Sequence, residues 1–459
     1  MDAALVTAWK VICQGLAEGF TRPTFATFLH IATGWVLCRS RPTVTSIICT
    51  IGSSLLGHRA KHWTVYERFF YRAQWSLDAL SRLLLVRVVV PLVDAHGVDG
   101  AGAPLELIFD ETTCDRTGRH VAYAGYFKDA SITNTLKRVF HWSHQWVIGA
   151  VVLRPARWPH WAIALPVFFS LYRKKPHCDG SHPYTTVPQL AADMIRQAQQ
   201  ALPDRQLRVA ADGQYACGGI ADALEAQTTF VSRLRRDAVL YDLLPTRRRR
   251  GAGRPRKRGR RLPTPQQIAA RRYRGWKTIH VRKGGRVVRR RVLSLVCLWY
   301  RALGQRPIKM VIVRQTGRQV DDDFLFCTNP QIGEAEIVER YYGRWTIEEA
   351  ILDGKQQGGF EQVQGWCPRT VQRQAPMGLV VQTLVKTWYV SQGVKARGAQ
   401  PRGPAACGWL RHKPHPSYLD MLATLRQALW DDRINSKSMR RSVVSKTLRA
   451  LRFTLCAAA

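Results

Sequence analysis

Apolar residues recur at steps of three and four from Val65 to Leu84, within HWTVYERFFYRAQWSLDALSRLLLVRVVV, and residues 1–100 read as helical on that period. Within this region RPTVTSIICTIGSSL, with basic residues around it, has two readings: a helix-turn-helix-like DNA reader or a packing bundle. From Gly102 the period changes. LELIFD (Leu105 to Asp110) is a short apolar strand ending in an acid, followed by a polar hairpin-like stretch with Gly118 and Gly125. Two β-rich runs come next, Gln145 to Leu153 and Trp161 to Phe169. A helix is predicted from Val187 to Leu202, with Thr185 or Thr186 as its cap. LRVAAD (Leu207 to Asp212) is a second strand ending in an acid, GGIADALEA a short helix, and TTFVSRL a further strand. Strands alternating with helices in this way predict a mixed α/β sheet with helices on its faces.

The next stretch is of another kind. Arg247 to Arg261 reads RRRRGAGRPRKRGRR, ten basic residues in fifteen, with nothing to bury. Such a run is expected to stay mobile until it meets phosphate. Its Arg254, Arg256 and Lys257 are candidate DNA contacts, either as an AT-hook-like minor-groove element or as a generic phosphate-binding loop. A hairpin turning at Gly284-Gly285 and the strands PIKMVIVRQ and DFLFCTNP complete a basic, β-rich insertion over residues 234–332. A single helix is predicted from about Glu334 to Gln357, and another from Pro376 to Val394. The expected divisions are a helical N-terminal region 1–100, a core in two parts (101–233 and 333–395) around the insertion, and a basic helical C-terminal tail, 396–459.

Composition narrows the function. Hydrophobic residues are 46% of the chain and aromatics 10%, which is a globular rather than a disordered mixture. Lys and Arg number 70 against 32 Asp and Glu, a formal charge of +38. A balance this lopsided calls for a polyanion as partner. A membrane is not expected, because LLLVRVVVPLV near Leu83 is too short to span and is broken by Arg87 and Pro91. The first twenty residues lack a basic leader followed by an apolar core, and the eleven cysteines form no paired spacing, so a reduced, cytoplasmic chain is expected. His177, Cys178 and His182 cluster loosely and read as a loop rather than a metal site.

The acids carry the chemistry. Asp110 and Asp212 each end a predicted strand, where ligand-binding groups of open sheets gather. Each also has a structural reading: Asp110 capping a turn with Thr112 and Thr113, Asp212 capping the helix after it. Taken as a pair, with a third acid, they form an oxygen-rich set for divalent ions that could drive phosphoryl transfer. The third acid is Glu348. On one continuous helix Tyr341, Arg344, Glu348 and Lys355 share a band of roughly 60°, while Val338, Tyr342, Trp345 and Leu352 form an apolar stripe expected to pack on the sheet.

The series Tyr341-x2-Arg344-x3-Glu348-x6-Lys355 resembles the Tyr-Arg-Glu-Lys signature of bacterial insertion-sequence transposases of the insertion sequence 4 type, a branch of the DDE group. LIFDETT around Asp110 and VAADGQYA around Asp212 resemble that family's first and second acid motifs. Asp110, three residues before Thr113, fits the first motif better than its neighbour Glu111. The resemblance covers roughly Leu105 to Gly365 and implies an RNase H-like core. It implies that Asp110, Asp212 and Glu348 are catalytic and bind two Mg²⁺ ions, or Mn²⁺ in their place. It makes Tyr341, Arg344 and Lys355 contacts to DNA at the transposon ends, with a flipped base stacked on Trp276 or Trp299. The implied protein is a nucleoid-associated DNA transposase acting on double-stranded DNA, both ends and target, as a homodimer. The rival readings are a non-catalytic DNA-binding relative and another RNase H-like nuclease.

Overall fold

The structure is a computed structural model and describes residues 2–52, 54–128, 137–180, 182–244, 256–271, 275–315, 322–393 and 415–435. Six helices open the chain: α1 (Asp2–Gln14), α2 (Arg22–Leu37), α3 (Val44–Ile51), α4 (Trp63–Tyr71), α5 (Leu77–Leu83) and α6 (Val90–His96). Side-chain hydroxyls set their starts, with Thr21, Thr43 and Ser76 accepting from the backbone N–H three residues on. The periodic run from Val65 to Leu84 is therefore two helices, because Ser76 begins a new one. No helix among the described residues is long and apolar enough to cross a membrane.

One ten-stranded mixed sheet forms the centre. Its core strands are β1 (Leu105–Asp115), β2 (Gly125–Lys128), β3 (Phe140–Leu153), β4 (Ile163–Tyr172), β5 (Leu207–Ala211) and β6 (Thr228–Arg233). The order across the core is β4-β3-β1-β5-β6, with β2 sharing the outer edge of β3. β3 runs antiparallel to both β4 and β1, whereas β5 and β6 run parallel to β1. The buried stretches 107–109, 147–153 and 163–169 are nearly solid apolar runs, as strands covered by helices are. Between β4 and β5 lies α7 (Val187–Ala201), whose start is a capping box of Thr186 and Gln189. The short α8 (Gly218–Ala223) precedes β6.

β1 corrects one expectation. It does not end at Asp110 but continues to Asp115, because its antiparallel ladder with β3 runs on to the pair Asp115 and Ser143. What ends at Phe109 is the parallel ladder with β5. Asp110 therefore caps no turn with Thr112 and Thr113.

The insertion contributes α9 (Pro265–Ala270), β7 (Lys277–Lys283), β8 (Arg286–Leu298), α10 (Tyr300–Leu303), β9 (Pro307–Arg314) and β10 (Asp322–Cys327). β7 and β8 turn at Gly284 and Gly285, whose φ of 56° and 75° is left-handed and needs no Cβ. Strand β10 pairs with β6, so the inserted strands extend the core sheet.

The helix expected from Glu334 to Gln357 is two helices, α11 (Glu334–Gly343) and α12 (Thr346–Gln356). Between them four bonds run from residue i to i−3, from the N–H groups of Arg344, Trp345, Ile347 and Glu348. A tight turn of that kind advances about 120° per residue rather than 100°, so the phase slips by roughly 80° over four residues. The predicted apolar stripe is broken accordingly. Val338 and Tyr342 are buried among Val281, Val292, Val311 and Val313 of the inserted strands, but Trp345 and Leu352 are 54% and 53% exposed. Helix α12 instead buries Ile347, Ala350, Ile351 and Gly354.

Helix α13 (Pro368–Trp388) starts earlier than the Pro376 expected, which lies inside it. Its buried Thr383 and Lys386 donate to the β4 carbonyls of Pro166 and Ala164, at 2.7 and 3.1 Å. A last helix, α14 (Tyr418–Asn435), falls in the segment read as a basic tail; residues 436–459 lie outside the described residues. Arg426 donates to the carbonyls of Val36 and Cys38, and Arg433 to those of Thr50 and Ile51, so α14 caps the C-terminal ends of α2 and α3.

Burial lowers the Lys386 ammonium from 10.5 to about 8, against the pull of Asp353 and Glu349. Between those two pH values the unfolded chain binds a proton that the folded chain does not. Folding stability from this group therefore rises with pH from about 8 to 10.5, and its cost is fully felt below 8. Denaturant unfolding across that window is expected to show a pH slope that Lys386→Met flattens by at most about 1.4 kcal/mol per pH unit. Equal slopes in the two chains would contradict it.

Candidate active site

The last rung of the parallel ladder pairs Phe109 with Ala211. Asp110 and Asp212 are the next residues on the two strands, side by side where pairing stops and neighbouring chains are about 4.8 Å apart. Asp212 opens a single tight turn over Gly213–Tyr215, and its side chain makes no capping bond to that turn. Its carboxylate is thus not used up as a helix cap. The backbone carbonyl of Asp212 accepts from Ser232 Oγ at 2.9 Å, which fixes the strand end against β6.

The α11–α12 joint lies over these acids. Tyr341 Oη donates to Asp212 Oδ1 at 3.4 Å. Arg344 donates to Asp110 Oδ2 at 2.9 Å through one nitrogen and to Glu348 Oε1 at 3.0 Å through the other. Lys355 Nζ reaches the Thr113 carbonyl at 2.6 Å and Glu361 Oε1 at 3.1 Å. Tyr341, Arg344 and Lys355 thus meet β1 or the end of β5, and Glu348 reaches Asp110 only through Arg344, although the helix they share is not continuous.

Burial dominates the electrostatics. It pushes the Asp110 carboxyl up to about 7; Arg344 pulls it back, while Glu111 and Glu348 raise it further. Burial also opposes the charge on Arg344, but Asp110, Tyr341, Glu348 and Asp212 outweigh it and hold the guanidinium above its ordinary range. Tyr341 is pushed up to about 12, chiefly by burial, so it remains a phenol and a donor.

Asp110, Asp212 and Glu348 offer only oxygen donors, the kind that hard divalent cations take. Two of them already converge on one positive charge. As placed, however, no three His, Cys, Asp or Glu side chains among the described residues stand together closely enough to hold an ion. The set is closed on Arg344 instead. The donor chemistry, oxygen atoms alone, is of the kind a divalent cation takes.

Glu111, the other acid of the first motif, has separate partners. Its Oε2 accepts from Tyr215 Oη at 2.8 Å and from Gln214 Nε2, so the turn after Asp212 is tied to β1. The buried Tyr215 is held well above the ordinary phenol range by burial, then by Glu111. Tyr215→Phe deletes a buried hydrogen bond to a charged acceptor and is expected to cost about 1.5–3 kcal/mol in urea unfolding. A loss under half a kcal/mol would mean the tie is not made.

Sequence reasoning passed over Arg233. It follows Ser232, the residue that pairs with Ala211, and its charge is felt by both Tyr341 and Asp212. With Gly213, Arg235, Arg236 and Arg314 it lines a groove of about 620 Å³ beside Asp212. Its signal was position alone, one residue past the pattern of an apolar strand. Of the two tryptophans considered for stacking, Trp299 is buried against Phe326 and has no free face. Trp276 lies under Arg314, a residue that lines the groove, with the guanidinium 4.4 Å from the ring centre.

The basic run behaves in two ways. Arg254 lies outside the described residues, whereas Arg256 and Lys257 are exposed. Contrary to the expectation that nothing in the run packs, Arg258 stacks on Tyr241 at 4.3 Å and Gly259 N–H bonds to the Asp242 carbonyl. The run found partners because two aromatics and a strand edge wait beside it.

A family of DDE superfamily endonucleases matches residues 15–291, a span that includes Asp110 and Asp212 and stops before Glu348. A comparison with curated proteins finds no match. Among solved structures, a cryo-EM structure of the piggyBac transposase synaptic complex with hairpin DNA is similar over 98% of this chain and 85% of its own. Identity there is 9% and the TM-score 0.38, too weak a likeness to bear on function. The family match spans more than half of the sequence, and on it the chain belongs to the DDE superfamily of endonucleases.

Proposed function

We propose that this protein is a DNA transposase of the DDE group, of the insertion sequence 4 type, with an RNase H-like core. One observation carries the reading: Asp110 and Asp212 sit side by side past the last parallel rung, and the α11–α12 joint brings Glu348 to Asp110 through a shared guanidinium. The core order β4-β3-β1-β5-β6, with the first three strands antiparallel and the last two parallel to β1, supports the RNase H-like assignment.

In this reading Asp110, Asp212 and Glu348 hold Mg²⁺, two ions, or Mn²⁺. When bound, such ions activate a water or 3′-hydroxyl and stabilise the leaving oxygen. Arg344 leaves the carboxylates for a DNA phosphate, since a guanidinium suits either anion. Tyr341 steadies Asp212, and Lys355 and Arg233 hold the strand on either side. Arg254, Arg256 and Lys257 add counterion-release affinity that falls steeply with salt. The protein works at the nucleoid as a homodimer bridging two element ends before joining them to target DNA.

The closed arrangement on Arg344 gives one alternative an observation of its own: a non-catalytic relative that binds ends without cutting them. Incubating the chain and Mg²⁺ with DNA bearing the inverted repeats that flank its coding region decides between them. Nicks at the repeat ends support the transposase, and binding without cleavage supports the alternative.

A further inference from the structure

Past Asp110, β1 and β3 run on together for five residues to Asp115 and Ser143, and β2 joins them there. This projection has two faces. On one, Phe127 is covered by the Tyr172 ring and the Lys174 ammonium. The pairs Tyr126–Trp142 and Lys128–Phe140 share the other face. That face is open: Tyr126 is 63% exposed and Phe140 54%. The rings of Tyr126 and Trp142 meet edge to face at 5.2 Å, and Trp142 Nε1 is fixed by the Gly118 carbonyl. Lys128, Arg119 and Arg138 are exposed nearby. Among the described residues the acid on this projection, Asp115, lies on the same face as Phe127 and pairs with His141.

The platform is rigidly built. At its root the buried Arg116 donates to His144 Nδ1 at 2.8 Å and to the Glu361 carbonyl, and Cys114 Sγ bonds to the Phe360 carbonyl. Burial, then Arg116, lowers His144 to about 4, so its proton stays on Nε2 and donates to the Ala122 carbonyl. Ala122 N–H in turn bonds to the carbonyl of Trp366, 67% exposed. Residues 360–366 directly follow α12, so the platform is tied to the helix that carries Glu348.

Exposed rings on a fixed strand face cost solvation and hold no core together. Interleaved with cations, on a chain of charge +38, they match a polyanion that also offers flat apolar faces. Duplex DNA hides those faces in its stack, whereas an unpaired strand presents one per nucleotide. We propose that the Tyr126–Phe140–Trp142 face is a stacking platform for an unpaired DNA strand leaving the catalytic acids. The inference deepens the transposase reading and rests on it for DNA as the polymer.

Binding is tested with the full chain in EDTA, with labelled oligothymidylate and a labelled duplex of equal length, followed by fluorescence anisotropy at two salt concentrations; cleavage is read separately with Mg²⁺ on DNA bearing the flanking inverted repeats. The double substitution Tyr126→Ala with Phe140→Ala is expected to weaken oligothymidylate binding about tenfold or more while duplex binding stays within about twofold. Tyr126→Phe with Phe140→Tyr, which keeps both rings, should bind like the parent. No loss on oligothymidylate, or an equal loss on both DNAs, overturns the proposal. So does lost self-association in sedimentation with oligothymidylate binding intact, which would make the face a contact between copies. If the double-alanine chain melts early, Tyr126→Ala alone is judged by the same comparison. Cleavage without this binding would sink the platform only. Binding without cleavage would sink the transposase reading and leave the platform standing.

Discussion

Glu348→Gln is expected to abolish metal-dependent DNA cleavage, a fall of more than about a hundredfold, the loss already seen when mere outer partners of metal ligands are changed. DNA binding and folding should hardly move. The Glu348 side chain is 40% exposed, and its ion pair with Arg344 is an i,i+4 contact of the kind worth a few tenths of a kcal/mol. Arg344 keeps its shorter, more buried bond to Asp110 in the variant. The substitution therefore separates a charge needed for chemistry from one needed for structure. Gel-shift binding and Mg²⁺-dependent nicking, measured on the same preparation, make the comparison. Parental nicking by Glu348→Gln would remove Glu348 from the site. Lost binding would assign it to the DNA contacts instead.

The second large effect is a matter of space. A Cβ added to Gly378 on α13 would lie 2.1 Å from the carbonyl oxygen of Gly358, a backbone atom that cannot swing aside. The same carbonyl accepts from Trp35 Nε1 of α2 at 2.9 Å, so it is held from two sides. Gly358 also terminates α12, its N–H bonding to the Asp353 carbonyl. Gly378→Ala must therefore push α12 and α13 apart, at a cost of about 1–3 kcal/mol and a Tm lower by on the order of 5 °C. Cleavage should fall with it, since Glu348 rides on α12. Gly219→Ala is the control: it meets nothing within 4 Å on the short α8 and should leave Tm unchanged or slightly raised. An unshifted Tm in Gly378→Ala would show that the joint yields.

Local signals in the sequence carried much of the fold. Thr185 or Thr186 marked a helix start, which the structure places at Thr186, Gly284-Gly285 marked a hairpin, and the alternation of apolar runs a sheet backed by helices. That Asp110 and Asp212 lie together was legible too, since each follows an apolar strand and the pair, rather than either acid alone, suggested a shared site. What escaped notice depends on contacts between distant residues. Asp110 read as a strand end because the polar DETTCD that follows looks like a loop. It stays extended only because β3, some thirty residues later, supplies a partner. The slip in phase between Tyr342 and Ile347 is equally invisible to a periodicity count. It arises where α11 leaves the inserted strands and α12 takes up the core, two surfaces with no common axis. The C-terminal tail was expected to be helical and basic; that its helix α14 buries Leu422, Leu425 and Leu429 depends on partners far back in the chain.

The guanidinium caps that α14 places on α2 and α3, together with the bond from Trp388 Nε1 to the Leu5 carbonyl, bear on how the chain is born. Helices α1, α2 and α3 are sealed by segments that follow them in the chain by 382 to 388 residues. At about 5–20 residues per second, Trp9, Trp35 and their neighbours wait tens of seconds for the elements that cover them. During that interval the nascent protein is a client for chaperones, and premature termination anywhere before Tyr418 releases a chain whose opening helices have no lid.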